Sequence, residues 1–236
     1  MLLYLIRHGD PVYSPDKLTA LGKRQAEAIG RRLALADIDE IYSSSSNRAI
    51  QTATPLADIT GKEIDILDWS NENYVWREFT VFENDQRKWI FESEQMRIIM
   101  NSDRVISMGF EWYKHNAFSE TNVANGMERI GENADLFLES LGYRHDLENR
   151  QYIAENPNDK RIAFFAHDGF SRAFLSYILD IPYPVFIKFS YIHTGMTVIH
   201  FPDNDGVSLP TLLQYSGDGH LYKEGLPTKY NNEIFV

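Results

Sequence analysis

Cysteine is absent from all 236 residues. Disulfide bridges, thiolate catalysis and cysteine-rich zinc sites are excluded with it. An excess of basic charge is missing too: 23 Lys and Arg stand against 34 Asp and Glu, a net charge of −11. That balance argues against a general nucleic-acid binder, because phosphate backbones favour basic faces. It leaves room for a small anion in a locally basic pocket, since pocket charge and net charge are separate quantities. Long apolar runs are lacking as well. The opening Met1-Leu-Leu-Tyr-Leu-Ile-Arg7 has no basic stretch, and charge breaks its apolar run after five residues. That is too short for a signal-peptide core or a membrane span, and no later stretch approaches 18 apolar residues. A soluble, cytoplasmic protein engaging neither membrane nor nucleic acid is the expectation.

What is present is ordinary globular material, 43% hydrophobic and 24% charged, in a chain long enough for one domain carrying an insertion. Leu2 to Ile6 reads as a strand buried on both faces. From Thr19, a capping residue, the pattern turns helical, with Ala26, Ile29, Leu33 and Ala36 at three- and four-residue spacing. Asp37 to Tyr42 predicts a second strand, and Ala49, Ala53, Leu56 and Ala57 a helix in which Pro55 is a local objection. Glu63 to Leu67 predicts a third strand. Later come a helix over Met127 to Leu141, a strand over Arg161 to Ala166, a helix over Phe170 to Leu179, and strands over Thr197 to Phe201 and Leu209 to Tyr215. Alternation of this kind predicts an α/β fold, a mostly parallel sheet with helices on both faces.

Residues 68–125 break the alternation and hold all four tryptophans. They read as an inserted helical cap within a single domain spanning 1–236. Its aromatics serve hydrophobic packing first, and as a lid they would exclude water and select the organic part of a substrate.

The chemistry gathers where strands end. One predicted strand runs into Arg7-His8-Gly9-Asp10, another into Ala166-His167-Asp168-Gly169, and a third leads to Ser46-Asn47-Arg48. In open α/β sheets ligands collect outside the carboxyl ends of strands. Two arginines and two histidines around one pocket read as an anion site, with phosphate the expected guest, because the guanidinium fork matches phosphate oxygens. Neutral imidazole is also a nucleophile near neutral pH. Attack on phosphorus further needs a carboxylic acid to protonate the leaving oxygen.

Four segments carry a resemblance: Leu5-Ile-Arg-His-Gly9; Leu18-Thr-Ala-Leu-Gly22 with Gln25-Ala26; Tyr42-Ser-Ser44 with Arg48-Ala49 and Gln51-Thr-Ala53; and Phe165-Ala-His-Asp-Gly169. With them the chain resembles the histidine phosphatase superfamily, which holds cofactor-dependent phosphoglycerate mutases, fructose-2,6-bisphosphatases and acid phosphatases. The resemblance covers residues 1–66 and 126–201 and hardly touches the insertion. It implies a phosphoglycerate mutase-like fold, a phosphohistidine formed on His8, and a phosphoryl group held by Arg7, His8, Arg48 and His167, with no cofactor and no metal. For the proton donor it leaves two choices. The smaller branch takes a glutamate after the third strand, here Glu72, with Glu78 and Asp68 as outsiders; the acid-phosphatase branch takes the aspartate after the second histidine, here Asp168. Chain length favours Glu72.

The expected activity is hydrolysis of a small phosphomonoester. A phosphomutase is the alternative within enzymes, lowered by the lack of an extended arginine-proline run, and a catalytically silent phospholigand-binding protein is the alternative outside them. Ser43 to Ser46 read as loop and cap, because no adjacent base would activate them. Asp10 and Ser14 stand where the family carries polar residues beside phosphate. His115, His145, His193, His200 and His220 have no ligand-like spacing. Of these, His193 in Tyr191-Ile-His-Thr-Gly195 sits near where a strand restarts and could border the pocket, although a packing or surface role is the favoured reading.

Overall fold

The computed structural model describes residues 1–228. Its centre is a six-stranded sheet. In chain order the strands are β1 (Leu2–Arg7), β2 (Glu40–Ser43), β3 (Ile64–Ile66), β4 (Arg161–Ala166), β5 (Met196–His200) and β6 (Thr211–Gly217). Across the sheet they run β6-β5-β1-β4-β2-β3. β1, β4, β2 and β3 are mutually parallel, and β5 and β6 add an antiparallel edge. The mostly parallel sheet expected from the alternation is the one observed.

Helices cover both faces because successive strand side chains point to opposite sides. Ala163 and Phe165 of β4 meet Ile29 and Leu33 of α1 (Ala20–Ala34) and Leu56 of α2 (Asn47–Thr60). Ile162, Phe164 and Ala166 face the other way, toward Ile130 and Phe137 of α4 (Val123–Ser140) and Phe170 and Phe174 of α5 (Asp168–Ile178), the intervening α3 being Glu72–Glu78. α2 runs straight through Pro55. The carbonyl that loses its helical partner there belongs to Gln51, an exposed residue that water can satisfy. Pro55 also packs where α1 comes closest, since a Cβ on Gly30 would lie 3.0 Å from its own Cβ.

Residues 68–122 are helical apart from one hairpin, Thr80–Glu83 with Gln86–Trp89. The hairpin departs from the all-helical expectation. Its two-residue turn, Asn84-Asp85, has φ of 52° and 60° at the two positions, the geometry that matches strand twist and that Asn and Asp tolerate best. Trp112, Phe118, Met100 and Phe79 of this segment lie in the same buried cluster as Phe164 and Phe174 of the sheet and α5. Elements that the periodicity did not reveal are short: the hairpin Pro11–Tyr13 with Asp16–Leu18, and a small sheet of Tyr143–Asp146, Gln151–Ala154 and Val207–Ser208. Among the described residues no helix is long and apolar enough to cross a membrane.

Candidate active site

β1 and β4 are neighbours, with Arg7 opposite Ala166, so the residues that follow them emerge side by side. His8 and His167 thus come together with ring centroids 5.1 Å apart. β2 lies on the other side of β4, with Ser43 opposite Phe165, and delivers Ser44, Ser46 and Arg48 to the same spot. The motif residues around them are fasteners. A Cβ on Gly9 would sit 2.6 Å from the Gly22 carbonyl oxygen, and one on Gly22 would sit 2.2 Å from that of Asp10. Only two glycines permit that approach of loop to helix. Thr19 caps α1 by accepting from the Gly22 N–H, Gln25 accepts from the Asp10 N–H at 2.8 Å, and Thr52 accepts from the Gly9 N–H at 3.0 Å.

The loop so held opens on a cavity of about 770 Å³. Arg7, His8, Arg48 and Asp168 line its base, and Glu72, Asn73, Trp76, Trp89 and Glu92 its wall. His8 is buried, and its Nδ1 lies 2.7 Å from the Gly9 carbonyl. A carbonyl only accepts, so Nδ1 carries the proton and the Nε2 lone pair is left available. Burial first, and with it the charges of Arg7 and Arg48, holds His8 well below the usual histidine range. It is therefore neutral at neutral pH.

Arg48 donates to Nδ1 of His167 at 3.1 Å and to Asp16 at 2.9 Å. Nε2 of His167 donates to Ser44 Oγ at 2.8 Å, with Ser46 Oγ at 3.3 Å. The His167 proton is thereby set on Nε2, and burial with the Arg48 charge keeps the ring neutral, its pKa well below the ordinary value. Arg7 donates to the Tyr191 carbonyl and stands 3.7 Å from Asp168. Both guanidinium groups keep a buried Nε–H with no acceptor among the described residues. Such donors are costly in a protein interior, at about 1–3 kcal/mol each, and mark a place for an acceptor.

The two carboxyl candidates differ in what holds them. Asp168 is engaged by Arg172 at 2.8 Å and faces Arg7. Glu72 sits across the N-terminus of α5, accepting from the Gly169 and Phe170 N–H groups at 2.9 and 3.0 Å. Burial pushes its pKa up to about 7, with Asp168 adding to the rise and the two N–H groups opposing it. Its contact with the helix depends on Gly169, where a Cβ would meet Glu72 Oε1 at 2.9 Å.

All six residues expected at the site, Arg7, His8, Arg48, Glu72, His167 and Asp168, are brought together. The outsiders are elsewhere engaged: Glu78 pairs with Arg129 at 2.7 Å and Asp68 accepts from Ser45 and Tyr74. Asp10 lines the cavity, while Ser14 is exposed on the first hairpin. The expectation for His193 is corrected. It lines the cavity, its ring 5.6 Å from that of His8 and its Nδ1 3.7 Å from Asp10. The reason is that Thr194 N–H binds the Arg7 carbonyl at 3.0 Å, folding the segment before β5 over the end of β1. Ser44 as a partner of His167 was also missed, and the serine run carries no signal for it. Among the described residues no cluster of three His, Asp or Glu side chains is spaced to hold a metal ion.

Residues 3–93 match the family model described as Histidine phosphatase superfamily (branch 1). No curated protein matches the chain. Solved structures similar to it include phosphoserine phosphatase from Entamoeba histolytica in complex with 3-phosphoglyceric acid, 20% identical, with a TM-score of 0.60 over 93% of this chain and 98% of that one. A mycobacterial glucosyl-3-phosphoglycerate phosphatase in complex with VO3 is 17% identical, with a TM-score of 0.59 over 92% and 99%. An open-reading-frame product of Mycobacterium tuberculosis is 20% identical, with a TM-score of 0.55 over 93% and 98%. The fold is the phosphoglycerate mutase-like one. The resemblance read from the sequence is borne out over residues 3–93, which hold the first three of its four segments.

Proposed function

We propose, on the premise of that fold and family match, that this chain hydrolyses a small phosphomonoester through a phosphohistidine on His8. The observation that carries the reading is the state of His8: neutral, its proton fixed on Nδ1 by Gly9, and its Nε2 lone pair in a cavity based on two arginines. The phosphatases among the structural neighbours support it.

In the first step His8 Nε2 attacks phosphorus, the bond from phosphorus to the ester oxygen breaks, and Glu72 gives its proton to that oxygen. In the second, Glu72 as carboxylate takes a proton from water, the water oxygen attacks phosphorus, and the bond to Nε2 breaks, returning both groups to their starting states. A pKa of about 7 suits a group that must give and retake a proton in one cycle. Arg7 and Arg48 hold the transferring oxygens, a stabilisation that is preorganised because Tyr191, Asp16 and His167 already fix both guanidiniums. His167 contributes through Arg48, whose guanidinium it holds by accepting at Nδ1. Asp168 stays a carboxylate partner of Arg7 and Arg172. No step requires a metal.

The test is phosphate release from p-nitrophenyl phosphate and a set of alkyl phosphates with a chelator present, for the native chain and for His8→Ala. Release by the native chain and an acid-labile phosphoryl label, both lost in His8→Ala, are expected. Turnover that survives in a clean His8→Ala preparation would overturn the assignment. Transfer of the phosphoryl group to a second ester in place of water would point to the phosphomutase, and binding of phosphate without turnover to a silent binding protein.

A further inference from the structure

The wall of the cavity restricts what the ester can carry. Glu72, the proposed proton donor, must stand beside the leaving oxygen, and the organic group begins there. Trp89 is its neighbour: a Cβ at Gly169 would meet both Glu72 Oε1 and the Trp89 six-membered ring at 2.9 Å. Trp76 packs edge-to-face on Trp89 with centroids 4.7 Å apart, and Asn73 and Glu92 complete this side. An ester bound with its phosphorus at His8 therefore lays its organic part along two indoles toward Glu92.

The charged side chains that line that side are Glu72 and Glu92. The arginines lining the cavity are Arg7 and Arg48, both at its base, and no lysine lines it. Nearby cations are committed elsewhere. Arg87 lies over Trp76 and donates to Thr80 and to main-chain carbonyls, Lys88 pairs with Glu83 at 2.8 Å, and Arg172 is held by Asp168 and the Phe186 carbonyl. The Glu92 carboxylate has no hydrogen-bond or ion-pair partner among the described residues. Partial removal from water, followed by the charge of Asp168, raises its pKa above the ordinary glutamate value, against the opposing charges of Arg172, Arg7 and Lys88. A carboxylate or second phosphate on the substrate would meet indole faces and like charge. A cationic nitrogen would meet indole faces and opposite charge, the combination that recognises ammonium groups.

We infer that the organic part of the substrate carries a positively charged nitrogen, an amine or quaternary ammonium, seated against Trp76, Trp89 and Glu92. This rests on the phosphatase reading above. Phosphoethanolamine and phosphocholine are the cationic probes, glycerol phosphate the neutral one and 3-phosphoglycerate the anionic one, with p-nitrophenyl phosphate to report the chemistry by itself. The better cationic ester is expected to exceed glycerol phosphate about tenfold in kcat/KM, with 3-phosphoglycerate lowest. In Glu92→Gln the ratio of cationic to neutral ester falls toward one. Because it is a ratio within one preparation, a general loss of folded enzyme does not move it. Trp89→Phe, which keeps an aromatic face, retains more of the ratio than Trp89→Leu. Hydrolysis of p-nitrophenyl phosphate with glycerol phosphate or 3-phosphoglycerate ranked first, or a ratio unmoved in Glu92→Gln, overturns this inference and leaves the phosphatase reading intact. No hydrolysis of any ester by the native chain overturns both.

Discussion

Two of the buried histidine centres among the described residues differ in their neighbours. His8 and His167 lie at the ends of β1 and β4 among Arg7 and Arg48, and both have pKa values well below the ordinary one. His145, on the Tyr143–Asp146 strand, is wedged between Asp135 of α4 and Asp180 just after α5, its side chain 1% exposed. Burial alone would lower its pKa too, but hydrogen bonds at 3.0 and 3.2 Å to two carboxylates outweigh that and hold it at about 9. Its ring also stacks on Tyr152 at 4.3 Å, and Tyr177 donates to Asp135. Burial lowers the imidazole pKa at both centres, and the sign of the charges beside the ring decides whether it is a neutral base or a cation. The arginine-lined centre keeps a lone pair for chemistry. The aspartate-lined one spends its ring on tying a helix, a strand and a helix end together.

The largest effects should come from the first centre. Glu72→Gln should cost on the order of 10²–10⁴ in kcat/KM for alkyl phosphates and much less in kcat/KM for p-nitrophenyl phosphate, whose leaving oxygen needs no proton, while attack of water on the phosphohistidine slows for both. Asp168→Asn should lack that dependence on leaving group, and the reverse pattern would move the acid to Asp168. With Glu72 as donor, kcat/KM for alkyl esters should fall as pH rises through about 7. The acid limb, set by protonation of His8, should lie well below pH 6.5. Arg48→Ala should cost on the order of 10²–10³ in rate. It should also raise the His167 pKa, since Arg48 is the largest charge holding it down, and imidazole NMR titration reads that directly. An unmoved His167 would remove Arg48 from the account of its neutrality.

The second centre should respond in stability and not in rate. His145→Gln leaves Asp135 and Asp180 facing each other without a cation, a loss on the order of 3 kcal/mol by denaturant titration, with phosphate release unchanged. The smallest effect is in pH. The folded-state pKa of His145 lies above its unfolded value, so its stabilisation is fully present below about pH 6.5 and disappears as pH rises through about 9. It amounts to about 1–3 kcal/mol. His8 and His167 act oppositely: below about pH 6.5 the unfolded chain takes up protons that the folded centre refuses, and stability falls. His145→Gln should flatten the alkaline side of the stability profile and leave the acid side in place.

The sequence by itself determined the parts that local rules govern. The apolar runs Leu2 to Ile6 and Ile162 to Ala166 became the two central parallel strands, Thr19 capped its helix, and the 3.6-residue spacing of Ile29, Leu33, Ile130 and Phe137 marked the buried helix faces. Arg7, His8, Arg48 and His167 were legible because their neighbours Gly9, Gly22, Gln25 and Thr52 are the fasteners such a loop requires, and fasteners leave a pattern. Helix ends shifted by a few residues, as at Val123, because capping there uses no side-chain bond. Tertiary structure alone sets Glu72 and Asp168 in different surroundings, Glu72 capping a helix from another segment and Asp168 claimed by a neighbouring arginine. It alone brought His193 to the cavity, through a main-chain bond from Thr194 to Arg7, and joined Asp135, His145 and Asp180 into one clamp. It alone set Trp89 against Glu72 across Gly169. Each of these depends on distances between segments far apart in the chain. Periodicity along a sequence records which face of an element is buried; it holds no record of what lies opposite.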